Sequence, residues 1–313
     1  MRPSLRRPLV GATAALAALA LAACGSSDAG PGAAAVPADD GTLTVVASTN
    51  VYGSIAEAVG GAGVTVESLI TDPSADPHSY ESTPADAATV AGADIVILNG
   101  GGYDEFMPQL LESAGGDPVV LDVGELSGLV PAGAGAEFNE HFWYSLPTVA
   151  TLADRLAEEL GRADTTNAAA YTANAETFDG EVAGLQEQVA AIGASVPGAS
   201  VAITEPVPVY LIEDAGLANA TPEEFSEAVE EDADPPAAVV AETLGLFAPG
   251  STVRALILNA QTRTPTTDQV REAADAAGVP VVEMTETLPD AYPDYLGWMG
   301  SQVDALSAAL NPV

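Results

Sequence analysis

A chain of 313 residues, 48% of them hydrophobic, is long enough for one large domain or two medium lobes with cores of their own. Its 45 acidic residues stand against 8 basic ones, all arginine, and the net charge of −37 excludes nucleic acid and anionic lipid as natural partners. The acidic excess itself reads as adaptation to salt or solubility.

The first residues read as an export signal. Arg2, Arg6 and Arg7 form a basic start, and residues 8–23 form an apolar stretch too short to span a bilayer comfortably. Leu21-Ala22-Ala23-Cys24-Gly25 resembles a bacterial lipobox, in which the cysteine becomes a lipidated N-terminus. Cys24 is the only cysteine, so no internal disulfide can form. Residues 24–40, rich in Gly, Ala, Pro and Ser, read as a flexible tether. No later apolar run approaches the length of a membrane helix, so the remainder is expected outside the cytoplasm, held to the outer face of the cell membrane by lipid alone.

From Thr42 onward strands and helices alternate. Residues 42–48 read as a buried strand, and 64–70, 93–99 and 118–123 as further strands. Asn50 is the expected cap of a helix ending at Gly60-Gly61. Thr83 and Pro84 are expected to open a second helix, and 104–114 a third. Strand–helix alternation implies a parallel sheet covered on both faces. A helix follows over 147–160, then a longer one over 166–192. Along the latter, Tyr171, Ala175, Phe178, Val182, Leu185, Val189 and Ile192 form a heptad seam, as in a connector packed along two lobes. Alternation then resumes, with strands at 200–204, 253–260 and 279–285 and helices at 206–216, 266–278 and 294–310. The expected architecture is α/β: two similar parallel-sheet lobes, 41–165 and 194–313, linked by one long rigid helix, 166–193.

The chain has two histidines. His78 follows the second strand in D76-P-H-S-Y-E81, and His141 lies in N139-E-H-F-W-Y144 after a Gly/Ala/Pro loop. Both sit at or beyond strand carboxyl ends, where open α/β sheets bind ligands. Neutral imidazole suits zinc, manganese and iron, but two nitrogens hold such an ion poorly. Glu205 and Glu286, each just past a strand of the second lobe, are the carboxylates whose position fits. Two imidazoles, two carboxylates and a divalent ion sum to zero charge, the least costly assembly to bury. Asp76, Glu81 and Glu140 are candidates to orient the histidines. Phe142-Trp143-Tyr144 could wall off water. The acidic run from Glu223 to Asp234, with seven acids in twelve residues, reads as a solvated helix face and loop.

Seven stretches in order, V-V-A-S-T-N-V-Y-G (45–53), D-P-H-S-Y-E (76–81), N-G-G-G-Y (99–103), N-E-H-F-W-Y (139–144), T-E-P-V-P-V-Y (204–210), L-N-A-Q-T (258–262) and V-P-V-V-E-M-T-E-T-L-P (279–289), resemble the zinc- and manganese-binding family of ABC-transporter substrate-binding lipoproteins. The resemblance runs from about Thr42 to Leu310. It implies a metal ion held in the cleft between the lobes by His78, His141, Glu205 and Glu286, the last standing where the family usually has Asp. It implies a monomer that catalyses nothing and delivers Zn²⁺ or Mn²⁺ as cargo to a membrane permease and its ATPase. The His-rich loop of many zinc members is missing from 124–137. Metal-dependent hydrolysis and binding of a small organic ligand are the competing functions. The first lacks an H-E-x-x-H motif and a spare histidine. The second usually goes with strand hinges rather than one long helix.

Overall fold

In the computed structural model, which describes residues 41–311 apart from 74, 76 and 131–137, two four-stranded parallel sheets carry the chain. The signal segment 1–23, Cys24 and the tether 24–40 lie outside the described residues. The first sheet holds β1 (Leu43–Thr49), β2 (Val64–Ile70), β3 (Ile95–Leu98) and β4 (Val119–Asp122) in the order β2-β1-β3-β4. The second holds β5 (Ser200–Ile203), β6 (Ala218–Asn219), β7 (Val253–Asn259) and β8 (Val281–Met284) in the same order, β6-β5-β7-β8. In each sheet the winding reverses between the first and third strands, which opens a crevice at their carboxyl ends.

Strand residues alternate between two apolar environments. Val45, Ala47, Ile95 and Ile97 join one cluster with Val201, Ile203, Ala255 and Ile257 of the second sheet. Val46, Val96 and Leu98 face the opposite way, under α2 (Pro84–Ala91) and α3 (Phe106–Ala114). Ala202 and Leu256 likewise face Phe225 and Val229 of α8 (Glu223–Glu230) and Val270 of α10 (Pro265–Ala277). The shared cluster also takes in residues of α1 (Asn50–Gly60), α5 (Leu146–Ala163), α6 (Ala168–Ser195) and α11 (Tyr295–Leu310). The inner faces of both sheets therefore rest on one continuous apolar body. The remaining helices are α4 (Val123–Ser127), α7 (Val209–Asp214) and α9 (Ala237–Gly245).

The connecting helix α6 buries all seven residues of its heptad seam, none more than 7% exposed. Each fully buried Leu, Val, Ile or Phe there contributes about 1.5–3 kcal/mol. Three interior glycines interrupt it, with different consequences. A Cβ on Gly193 would lie 2.0 Å from the Ala215 carbonyl oxygen just beyond α7, so the helices can approach this closely only at glycine. A Cβ on Gly180 or Gly184 would meet nothing within 4 Å. Gly180→Ala and Gly184→Ala are each expected to stabilise the protein by about 0.5–1 kcal/mol, and Gly193→Ala to destabilise it. Thermal unfolding of the three variants checks this; a lower melting temperature for Gly180→Ala would refute it.

Several local expectations need adjusting. Thr83 does cap α2, in a reciprocal capping box with Asp86. Asn50 does not cap α1. Thr49 holds the cap position, and the Asn50 amide instead donates to the Leu288 carbonyl (2.8 Å) and accepts from the Leu288 N–H (3.3 Å). The helix expected over 206–216 is confined to Val209–Asp214, because Pro206 and Pro208 delay its start. Between 217 and 252 the chain adds β6, α8 and α9. Both helices are short and follow a proline, Pro222 and Pro236, rather than a side-chain cap.

Candidate metal centre

The crevices of the two sheets face each other, and both histidines lie between them. His78 belongs to a 3-10 turn, Pro77–Ser79, beyond β2. Its ring packs edge-on against Tyr103, with centroids 4.9 Å apart. Three successive glycines with positive φ, Gly100 to Gly102, turn the chain sharply after β3 and deliver Tyr103 to this position. His141 is fully buried and immediately precedes a 3-10 turn, Phe142–Tyr144, whose three aromatics are all buried. Trp143 packs against the His141 ring at 5.1 Å between centroids, so the expected dry wall is present.

The orientation of His141 comes from Asn139 rather than from a carboxylate. Asn139 Oδ1 lies 2.6 Å from His141 Nδ1 and also accepts from the His141 backbone N–H at 3.1 Å. An amide oxygen can only accept, so the proton sits on Nδ1 and Nε2 is directed into the crevice. Asn139 is itself anchored across the crevice, its amide donating to the Pro206 carbonyl at 2.9 Å. Asn139→Ala is expected to lower metal affinity about 10–100-fold, the usual loss when the partner that orients a ligand is removed. Isothermal titration measures this; unchanged affinity would mean the ring holds its place unaided.

The second lobe supplies carboxylates from strand ends and one helix end. Glu205 follows β5 and is 2% exposed. One of its oxygens accepts from the Thr262 hydroxyl, and the other accepts from the Asn259 amide at 2.5 Å. Glu286 follows β8 and is 7% exposed. Its Oε1 accepts from the Tyr103 hydroxyl at 2.7 Å, a bond between the two lobes, and its Oε2 lies 3.4 Å from the same Asn259 amide. Gln261 fixes the Glu286 backbone, accepting from its N–H at 2.7 Å. The L-N-A-Q-T loop thus organises both carboxylates.

The residue not anticipated is Glu230. It lies in the acidic run, most of which is solvated as expected, but its own side chain is only 10% exposed. Its Oε1 lies 3.2 Å from His141 Nε2 and 3.4 Å from His78 Nε2. Two clusters of potential ligand atoms, each within 4.8 Å, occur among the described residues: His78, Glu230 and Glu286, and Glu140, His141 and Glu230. Glu230 is common to both, and Glu205 is in neither. The structure places His78 and Glu286 in one cluster and His141 in the other, joins the two through Glu230, and links Glu205 to Glu286 through Asn259.

Glu230 is placed by the way α8 ends. Phe225, Ser226 and Val229 form the helix's buried stripe, and Glu230 lies one turn beyond Ser226. The Ala233 N–H bonds the Ala228 carbonyl at 2.8 Å, with Asp232 at φ 52° between them, which is a Schellman closure on a non-glycine residue. The last turn is fixed rather than frayed. In sequence, the apolar spacing 225/229 carries this signal, but seven acids obscure it.

Electrostatics agree with a cation-ready crevice. Burial would lower the pKa of His141, but Glu230, Glu286 and Glu140 outweigh it and hold the imidazole up at about 9. Burial would raise that of Glu230, yet the two histidines keep it ionised and well below the ordinary carboxylate range. Burial pushes Glu205 up to about 8, against hydrogen bonds from Thr262 and Asn259 and with help from the charge on Glu230. Burial also raises Glu286. A cavity of about 400 Å³ bordered by His78, Glu140, Glu230 and the exposed Asp232 opens onto the cluster.

Two parallel-sheet lobes on one long helix, with imidazoles and carboxylates between them, are the arrangement to set beside known proteins. The chain belongs to the family described as zinc-uptake complex component A, periplasmic, whose model matches residues 45–309. It is 32% identical over 165 residues to the manganese-binding lipoprotein MntA of Bacillus subtilis (strain 168), an alignment covering 52% of each chain. It therefore spans about half the length of that relative. The periplasmic zinc-binding protein TroA of Treponema pallidum shares the fold with a TM-score of 0.70 at 19% identity, over 86% of this chain and 99% of TroA. The substrate-binding protein FpvC of Pseudomonas aeruginosa, solved with Mn²⁺, superposes with a TM-score of 0.70 at 24% identity, over 86% and 98%.

Proposed function

We propose that this chain captures a divalent transition-metal ion, Zn²⁺ or Mn²⁺, outside the cytoplasm and delivers it to an ABC permease driven by its ATPase. The observation that carries the proposal is a pair of ligand clusters, His78 with Glu230 and Glu286 and His141 with Glu230 and Glu140, joined through Glu230 between the lobes. Family membership and the manganese-binding relative support it. The metal is cargo, and the chain catalyses nothing. His78 and His141 supply nitrogen, and Glu286 and Glu205 supply oxygen. To do so Glu205 would exchange its bond from Thr262 for the ion.

Delivery requires that the ion come out again. Tyr103–Glu286, Asn139–Pro206 and Gln261–Pro73 join the two sides of the crevice by hydrogen bonds of 2.7–2.9 Å. These contacts lie beside the cluster, so a modest opening that breaks them would expose the ion to the permease. The N-terminal segment ending at Cys24 is assigned the role of lipid anchor, in keeping with the lipoprotein relative and with the finding that no helix among the described residues is long and apolar enough to cross a membrane.

Metal analysis of protein purified without chelator tests the reading. One equivalent of Zn²⁺ or Mn²⁺ per chain is expected, removable by chelator and restored on titration. A chain that binds neither ion at sub-micromolar concentration would refute it.

A further inference from the structure

We infer that Glu230 is itself a direct ligand of the captured ion, a third carboxylate that makes the site a five-residue centre favouring Mn²⁺ over Zn²⁺. The inference rests on the metal-capture reading above and specifies its chemistry. It starts from distances. Ligand atoms bound to one ion by bonds of ~2.1 Å at angles of ~90–109° lie ~3.0–3.4 Å from one another. Glu230 Oε1 lies 3.2 Å from His141 Nε2 and 3.4 Å from His78 Nε2, within that range for both. A charge-assisted hydrogen bond between an imidazolium and a carboxylate would be shorter, ~2.7–2.9 Å. His141 Nε2 is buried without a hydrogen-bond partner, and so is Glu230 Oε2. The three groups stand at the spacing of co-ligands of one ion, and without metal the same proximity pairs their charges.

The two carboxylates that follow strands are already engaged. Both oxygens of Glu205 accept hydrogen bonds from Thr262 and Asn259, and Glu286 accepts from Tyr103. Glu230 has one oxygen on the histidines and a second oxygen, buried and unbonded, available for bidentate contact. The Schellman closure after α8 locks this placement without any metal.

The selectivity follows from charge and number. Two imidazoles and three carboxylates around a divalent ion carry a net charge of −1, with five to six donor atoms, most of them oxygen. That set suits a hard ion of higher coordination number, whereas Zn²⁺ prefers four donors and gains little from a fifth. Removing Glu230 leaves the two-histidine, two-carboxylate set, which remains adequate for tetrahedral Zn²⁺. Glu230 therefore acts as a specificity-determining ligand.

The experiment titrates the full chain and its Glu230→Gln variant with Mn²⁺ and with Zn²⁺ by calorimetry, alongside a crystal structure of the Mn²⁺-loaded wild type. Glutamine keeps the volume and the helix end, and thermal unfolding checks that the variant folds. The expected result is a loss of Mn²⁺ affinity exceeding about 100-fold with a distinctly smaller loss for Zn²⁺, and a Glu230 oxygen within bonding distance of Mn²⁺. Equal affinities in variant and wild type, equal losses for both ions, or a loaded structure with Glu230 turned away would each overturn the inference and leave the metal-capture reading intact. If the variant does not fold, the loaded wild-type structure decides alone. A wild type that binds neither ion overturns both.

Discussion

The chain carrying His78→Ala and His141→Ala together is expected to lose sub-micromolar binding of both Zn²⁺ and Mn²⁺ while keeping its fold. In the proposed site each imidazole supplies a nitrogen that no nearby group can replace, since the sequence holds no other histidine and no cysteine beyond Cys24. Loss of a residue that merely orients a ligand costs about 10–100-fold, so about 100-fold per imidazole is a floor. The pair then costs at least about 10⁴-fold, or about 5–6 kcal/mol. His141 contributes more than His78. It is fully buried, oriented by Asn139 and walled by Trp143, whereas the His78 side chain is 32% exposed. Calorimetric titration of the two single variants and the double variant checks both statements. A double variant that still binds either ion below micromolar concentration would remove the histidines from the site.

Affinity is also expected to rise steeply with pH between 6 and 9. A metal ion needs neutral imidazole and ionised carboxylate. Without metal, the neighbouring glutamates outweigh burial and hold His141 protonated up to about 9. Burial holds Glu205 protonated up to about 8. Loading at pH 7 therefore displaces one proton from His141 and a second if Glu205 turns to the ion. Each displaced proton makes affinity rise about tenfold per pH unit. Titrations in buffers of different ionisation enthalpy should show between one and two protons released per ion, and zero would contradict the electrostatic picture. The same shifts fix the sign of the stability change. The folded-state pKa of His141 lies above its ordinary value of 6.5, so its contribution is complete below pH 6.5 and lost as the pH climbs towards 9. Glu205, raised from 4.5, loses its contribution in the same direction, between about pH 4.5 and 8. The metal-free protein should melt at lower temperature as the pH rises from 6.5 to 9. The gain in melting temperature on adding metal should widen over that interval.

Much of this was legible in the sequence for physical reasons. The α6 seam showed because burial on one face of a long helix forces a 4-3 spacing. The central strands of each sheet showed because strands covered on both faces are continuously apolar. The histidines stood out because they are scarce and lie past strand ends. Glu205 and Glu286 were found by the same positional rule, which picks residues at the crevice but cannot say which way a carboxylate turns. The Thr262 and Asn259 side chains that hold Glu205 come from another strand end, and that pairing is fixed only by the tertiary fold. Asn139 is not evident in sequence because carboxylates are the usual partners of a ligating imidazole, while an amide oxygen serves as well. Glu230 escaped because a run of acids normally faces water. Only the Phe225/Val229 spacing and the left-handed Asp232 turn one member of that run inward. Asn50 departs from the expectation because the side chain that suits a helix cap also suits a bridge to the Leu288 backbone, and α1 starts one residue earlier in register.

X-ray absorption at the metal edge of the chain, stripped with chelator and reloaded with one equivalent of Mn²⁺ or Zn²⁺, tests most directly that histidines and glutamates converge on a single ion. The expected spectrum shows two imidazole nitrogens with carboxylate oxygens completing the shell. A shell of oxygen alone, with no imidazole scattering, would contradict it.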